Sequence, residues 1–186
     1  MTDSAIHPHA GSVDRTQKRL APGPDGAEIR PATAADGAGL RDFFARLSVR
    51  TRVLRFFAPL TPTAAMLRSL AGEPASVDAV VAVRGGVIIG HGMAVDQDGP
   101  SAGPATDIGV VVADAWQSQG VGSALIRTLM SRAQARGVTS LQMDVLHDNH
   151  RVRSMIASHW TEMRTDFSAD CVTIQVPLPQ HRSQAA

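Results

Sequence analysis

The sequence contains one cysteine, Cys171, so it builds neither a disulfide framework within the chain nor a cysteine-rich zinc module. Tyrosine is absent, Asn149 is the single asparagine, and Lys18 is the single lysine among basic residues that are otherwise all arginine. Everything after Lys18 therefore lacks the amine needed for Schiff-base chemistry or for a phosphate-loop motif. No apolar run is long enough to cross a membrane. Lys and Arg together number 18 against 17 Asp and Glu, a net charge of +1, too weak a field to favour nucleic acid or an anionic membrane. The N-terminal MTDSAIHPHAGSVDRTQKRL has no apolar h-region of a signal peptide, and a cytoplasmic location is expected.

What is present is a 186-residue chain, 44% apolar, of a length suited to one domain. Residues 1–26 mix Gly, Pro, Ser, His and charges without an apolar period and are expected to form a disordered N-terminal tail. A single domain is expected over residues 27–178, with a short C-terminal tail over 179–186. No internal repeat is evident.

Within the domain, Ala27–Pro31 reads as an extended start, and Pro31 favours a sheet edge. Asp36 is placed to cap a helix through Leu47, whose Leu40, Phe43, Phe44 and Leu47 share one face. A second helical piece over Arg50–Phe57 is cut by Pro59, and a third starts near Thr61–Pro62. Ser76–Val83 and Val87–Val95 flank Arg84-Gly85-Gly86 as a hairpin. A loop over Asp96–Gly103 leads to a strand over Thr106–Val112. Val121, Ala124, Leu125, Leu129 and Ala133 then give a helical period closed by Gly137. Leu141, Met143 and Val145 alternate as a strand, Val152, Met155, Ile156 and Trp160 return to helical spacing, and Cys171–Val176 alternates again. The predicted class is mixed α/β, with helices flanking a largely antiparallel twisted sheet.

The informative segment runs from Asp107 through Gln117-Ser118-Gln119-Gly120-Val121-Gly122-Ser123. An apolar strand enters a glycine-bearing turn, and the turn opens a long amphipathic helix. The first amides of a helix have no intrahelical partner and sit at the positive end of its dipole, which suits a pyrophosphate. Glycine at 120 and 122 lets such a ligand reach the backbone. Gln117-x-x-Gly120-x-Gly122 resembles the (Gln/Arg)-x-x-Gly-x-(Gly/Ala) motif of the GNAT superfamily of acyl-CoA-dependent N-acyltransferases. The resemblance spans roughly 27–177 in element order, with a valine-rich strand before the loop and Asn149 opening the helix after the next strand. Leu47-Ser-Val-Arg50-Thr-Arg52-Val-Leu-Arg55-Phe-Phe57 is similar to the substrate-side helix of bacterial protein-lysine acetyltransferases.

This resemblance implies acetyl-CoA as co-substrate and a primary amine as acceptor, a protein lysine by preference or a small molecule. It implies that Val110, Val111 and Val112 bind pantetheine like an added strand. Residues Gln117, Ser118, Gln119, Gly120, Val121, Gly122 and Ser123 then belong to the pyrophosphate loop, and Asn149 contacts the pantetheine arm or the helix that supports it. Pairing of two copies through the last strands is also implied. Attack requires a neutral amine, and a lysine of pKa near 10.4 is deprotonated in roughly one molecule in 2,500 at pH 7. Relatives often place a glutamate ten residues before the motif glutamine; here that position is Asp107, one methylene shorter, which favours base catalysis through a water. Many place a tyrosine seven residues after the asparagine to protonate the leaving thiolate. Here that position is Ile156, which leaves Ser154 as the candidate donor.

Other readings compete at several of these positions. Asp107 could be a polar strand start, and Ser154 a packing residue. Arg50, Arg52 and Arg55 are either a solvated helix face or a steering patch for an acidic substrate. Cys171 reads as a small structural residue, His147 and His150 as loop or cap residues in a chain with no metal site, and Trp116 as a cover for the helix start. A dinucleotide fold would need a small residue at Leu125, and hydrolase and phosphate-loop motifs are absent. From outside the enzyme class, a domain that binds acyl-CoA as a sensor fits the missing tyrosine and the Asp-for-Glu exchange.

Overall fold

The computed structural model describes residues 24–73, 76–97 and 105–179. The expected N-terminal tail up to residue 23, the C-terminal tail from residue 180, and most of the Asp96–Gly103 loop lie outside these residues. Pro24–Gly26, assigned to the tail from sequence, form a 3-10 turn. Among the described residues strand β1 (Glu28–Pro31) pairs with β2 alone and so lies at an edge, as Pro31 predicts.

Three short helices follow: α1 (Gly37–Arg46), α2 (Val49–Phe56) and α3 (Ala64–Leu70). Asp36 precedes α1 but does not cap it with its side chain. Its carboxylate turns back to accept the Thr33 N–H at 2.9 Å and pairs with Arg30 at 2.6 Å, closing a capping box over the preceding 3-10 turn. Ser48 caps α2 and Thr63 caps α3, each accepting from the amide three residues on.

The hairpin of β2 (Val77–Arg84) and β3 (Val87–Gln97) turns through Gly85-Gly86, both at positive φ. Then come β4 (Ala105–Val112), α4 (Val121–Ala135), β5 (Ser140–Leu146), α5 (His150–His159), β6 (Arg164–Phe167) and β7 (Cys171–Pro177). The sheet order is β1-β2-β3-β4-β5-β7-β6, antiparallel everywhere except between β4 and β5. This is the mixed, mostly antiparallel α/β class expected. β6 went unread because all four of its residues are exposed, which leaves no apolar alternation to detect.

Alternation along β4 divides its side chains between two cores. Val111 packs with Leu40, Phe43 and Phe44 of α1 and Leu67 of α3, whereas Ile108, Val110 and Val112 pack on the α4 side with Leu125 and Leu129. Asp107 and Gly109 therefore share Val111's face. On β3, Gly90 and Gly92 form bare backbone beneath α4: a Cβ at Gly92 would lie 3.0 Å from Leu129 Cδ1 and 3.3 Å from Val80 Cγ2. Arg132 and Arg136 at the far end of α4 clamp Asp78, and Arg136 also bonds Asp96. Gly92→Val should therefore overpack the joint between α4 and the sheet, costing about 1–3 kcal/mol, or roughly 3–10 °C of Tm. A melt that is unchanged would mean that α4 is not seated on this strip.

Candidate active site

β4 pairs with β5 only at Ala105, Thr106 and Asp107, opposite Ser140, Leu141 and Gln142. Beyond this point the two strands part, while β4 stays paired with β3 through Val112 and β5 with β7 through Leu146. The gap opens a cleft of about 640 Å³, lined by Asp107–Val112 from one strand and Gln142–Val145 from the other. Its wider walls come from α2, the turn before α4, and the start of α5. From Ile108 onward, no strand among the described residues pairs with the β5-facing edge of β4, so its backbone is available to an extended ligand.

At the far end of β4 the chain turns through a 3-10 segment, Asp114–Trp116, into α4. Ser118 (φ +64°) and Gly120 (φ +80°) are left-handed, a conformation that glycine adopts freely and serine adopts at a cost. The first bond from the turn into α4 runs from the Ala124 N–H to the Gly120 carbonyl, so the amides of Val121, Gly122 and Ser123 lie outside the helical ladder. Gln117, Ser118, Gly120, Gly122 and Ser123 line the cleft. Val121 does not, since its side chain is in the core, and Gln119 is exposed with its amide donating to the Ala115 carbonyl.

Gln117 braces the loop: its Nε2 donates to the Val112 carbonyl at 3.1 Å and to Thr51 Oγ1 at 3.2 Å. Thr51 and Ser48 in turn donate to Asp114 Oδ1, each at 2.7 Å, and the Ser48 N–H donates to Asp114 Oδ2. The start of α2 is thus tied directly to the turn before α4. The sequence singled out neither Asp114 nor Thr51; the Ser48-x-x-Thr51 cap was the available signal. Asn149 lines the cleft and caps α5, its Oδ1 accepting the Val152 N–H at 3.4 Å.

Asp107 stands where the strands part. Gln97 Nε2 donates to its Oδ2 at 2.8 Å, while Oδ1 is buried with no partner among the described residues. Burial, and then the negative charge of Asp144 across the cleft, raises its pKa above the ordinary carboxylate value, against the bond from Gln97. Asp144, held by Thr173 Oγ1 at 2.7 Å, lines the same cleft and was not anticipated.

This geometry sets two residues of α5 apart from the cleft. Ser154 lies on the exposed face of α5 and does not line the cleft, because α5 turns Val152 and Met155 inward instead. Ile156, at the tyrosine position, is wholly buried in the core beneath α5. Nor are the arginines of α2 one solvated face: Arg55 reaches into the cleft wall, and both Arg52 and Arg55 bury an Nε without a partner among the described residues. Trp116 packs at the start of α4, as expected, with the Arg84 guanidinium 4.6 Å from its ring. His147 Nε2 donates to the Ser168 carbonyl at 2.9 Å, and no group of metal-ligating side chains occurs among the described residues.

The family model described as the acetyltransferase (GNAT) family matches residues 47–159, which include α2, the cleft strands, the loop and α5. The chain belongs to that family. In fold it is similar to the GNAT domain of S. lividans PAT, with 24% identity, a TM-score of 0.76, and coverage of 85% of this chain and 95% of that one. It is also similar to a phosphinothricin acetyltransferase of Sinorhizobium meliloti in complex with acetyl-CoA (19% identity, TM-score 0.64, 82% and 88% covered). A third structure of the same fold is a ribosomal-protein-alanine N-acetyltransferase from Brucella melitensis (18%, 0.67, 81% and 99%). A comparison with curated proteins finds no match.

Gly122 offers the cleaner probe of the loop. A Cβ there meets only Val112 Cγ2 at an ordinary 3.6 Å, whereas at Gly120 it would meet strain and Pro24 at 3.3 Å. A carboxylate near a helix N-terminus suits the fold but opposes a second anion. Gly122→Glu should keep its Tm and weaken acetyl-CoA binding at least about tenfold by calorimetric titration. Equal affinity in both proteins would remove the loop from the site.

Proposed function

We propose that the protein transfers an acetyl group from acetyl-CoA to a primary amine by direct attack. The observation that carries this reading is the parting of β4 and β5 at Asp107, which sets a carboxylate with one unpartnered oxygen beside unpaired strand edge. Pantetheine lies along Val110–Val112, and the pyrophosphate meets the amides of the Ser118–Ser123 turn. Asp107 Oδ1 takes a proton from the acceptor, directly or through one water. The freed nitrogen lone pair forms the new C–N bond. Amides on the β5-facing edge of β4 stabilise the negative oxygen of the tetrahedral intermediate. The C–S bond then breaks, the nitrogen gives up its second proton to solvent, and the CoA thiolate is protonated by water, because buried Ile156 supplies no donor.

For the acceptor we favour a lysine of a protein. The Leu47–Phe57 segment supports this, since it forms α2 on the acceptor side of the cleft, as does the likeness to S. lividans PAT. A small amine is the other reading within the enzyme class. The proposal includes a cytoplasmic location and pairing of two copies through the exposed β6 edge, where Phe167 is 68% exposed.

Replacing Asp107 separates an enzyme from an acyl-CoA sensor. Asp107→Asn should lower kcat/KM by about 10²–10⁴-fold with acetyl-CoA affinity retained. A base must be ionised to act, so wild-type activity should fall as pH drops through the raised Asp107 pKa. Removing the neighbouring charge with Asp144→Asn should move that acid limb to lower pH. Unaltered turnover in Asp107→Asn would rule out Asp107 as the base, and acetyl-CoA binding with no turnover of any amine would favour the sensor.

A further inference from the structure

Among the described residues two arginines line the cleft: Arg151 at its exposed rim and Arg55, half-buried, in the wall contributed by α2. The mechanism above uses neither. Arg55 Nε is buried without a partner, and the guanidinium makes no hydrogen bond or ion pair with any described residue. Burial pushes its pKa down to about 10. Its neighbours include the Phe56 ring, 5.1 Å from the guanidinium carbon, and the bare backbone of Gly109, where a Cβ would lie 2.7 Å from that carbon. A cation withdrawn from water is costly unless an anion faces it, and a buried donor without an acceptor calls for a ligand or a water.

The pyrophosphate does not supply that anion. Gly109 stands three residues before the end of β4, about 10 Å from the turn that follows. It also shares a sheet face with Asp107 rather than with the α4 side. We infer that Arg55 seats a carboxylate carried by the acceptor, beside the amine that is acetylated. The inference rests on the transferase reading and names the chemistry of its acceptor.

Spacing supports it. Asp107 and Gly109 are two residues apart on one face, about 7 Å. Nitrogen and carboxylate carbon in an α-amino acid are roughly 2.5 Å apart. A charge-assisted hydrogen bond adds about 2.8 Å at each end, so one small molecule matches the backbone interval between the position of the base and the Gly109 position over which Arg55 lies. The same carboxylate can come from the α-carboxyl of a free amino acid or from an acidic side chain flanking a protein lysine.

The test uses matched acceptors with and without the carboxylate. One arm pairs L-amino acids with their α-carboxamides; the other pairs lysine peptides flanked by Glu with the same peptides flanked by Gln. Wild-type kcat/KM should be about 10- to 100-fold higher for the carboxylate member in one arm, which also identifies the source. The amides have the less basic amine and so more neutral nucleophile, a bias that runs against the expected result. In Arg55→Gln the preference should collapse to near unity with acetyl-CoA affinity kept. If that variant fails to fold, Gly109→Ala displaces the guanidinium with a single methyl and should have the same effect. Acetylation without a carboxylate preference in either arm, or a variant that slows neutral and carboxylate acceptors equally, overturns the seat and leaves the transferase reading standing. If no amine is acetylated, the transferase reading falls. The seat is then judged by titrating the same pairs into the CoA-bound protein, where equal affinities overturn it.

Discussion

Three residue pairs hold β4 against β5, and then the strands separate. That interruption is the constraint on which the site depends. A continuous sheet would satisfy both strand edges and leave no cleft; a separation any earlier would move Asp107 away from β5 and from Asp144. The surrounding packing keeps the interruption in place. β4 remains paired with β3 through Val112, and β5 is held by β7 along Leu146–Ser140, so neither strand can relax into the gap. The missing ladder is left as unsatisfied backbone at a place where a ligand can complete it.

Around this opening, polar side chains do two kinds of work. Asp114, Thr51, Ser48 and Gln117 bond almost entirely to one another and to the Val112 carbonyl, joining α2 to the turn before α4. They fix the distance between α2 and the turn before α4. Asp107 and Arg55, by contrast, each keep a buried polar atom unpartnered in the cleft. His91 completes the contrast: burial, and then the Arg55 charge, push its pKa down to about 4, against its bond to the Leu70 carbonyl. It therefore stays neutral and structural beneath the site.

Much of this architecture was legible in the sequence. The α4 period, the β5 and β7 alternations and the double-glycine hairpin all follow from burial on one face, and each element stands where that pattern placed it. The loop motif was legible because its glycines answer to backbone geometry. What escaped has physical reasons. β6 buries nothing, so its pairing leaves no hydrophobic trace. Asp36 had two competing partners, and the nearby Arg30 and Thr33 outbid the helix end. Arg55 looks like a surface charge beside Arg50 and Arg52 until the fold lays it over Gly109, a contact between residues 54 positions apart in the chain. Ser154 and Ile156 differ by two positions on α5, which puts them on different faces; only the register of the helix decides which one is buried.

The central claim is that acetyl-CoA completes the interrupted sheet. Amide hydrogen exchange, compared with and without acetyl-CoA, reads this directly. The account predicts slowed exchange at amides within Ile108–Val112 and Ser118–Ser123, with β1 and β2 unchanged. Slowing elsewhere with these two segments unaffected would contradict it, for the cleft would then not be where the cofactor lies.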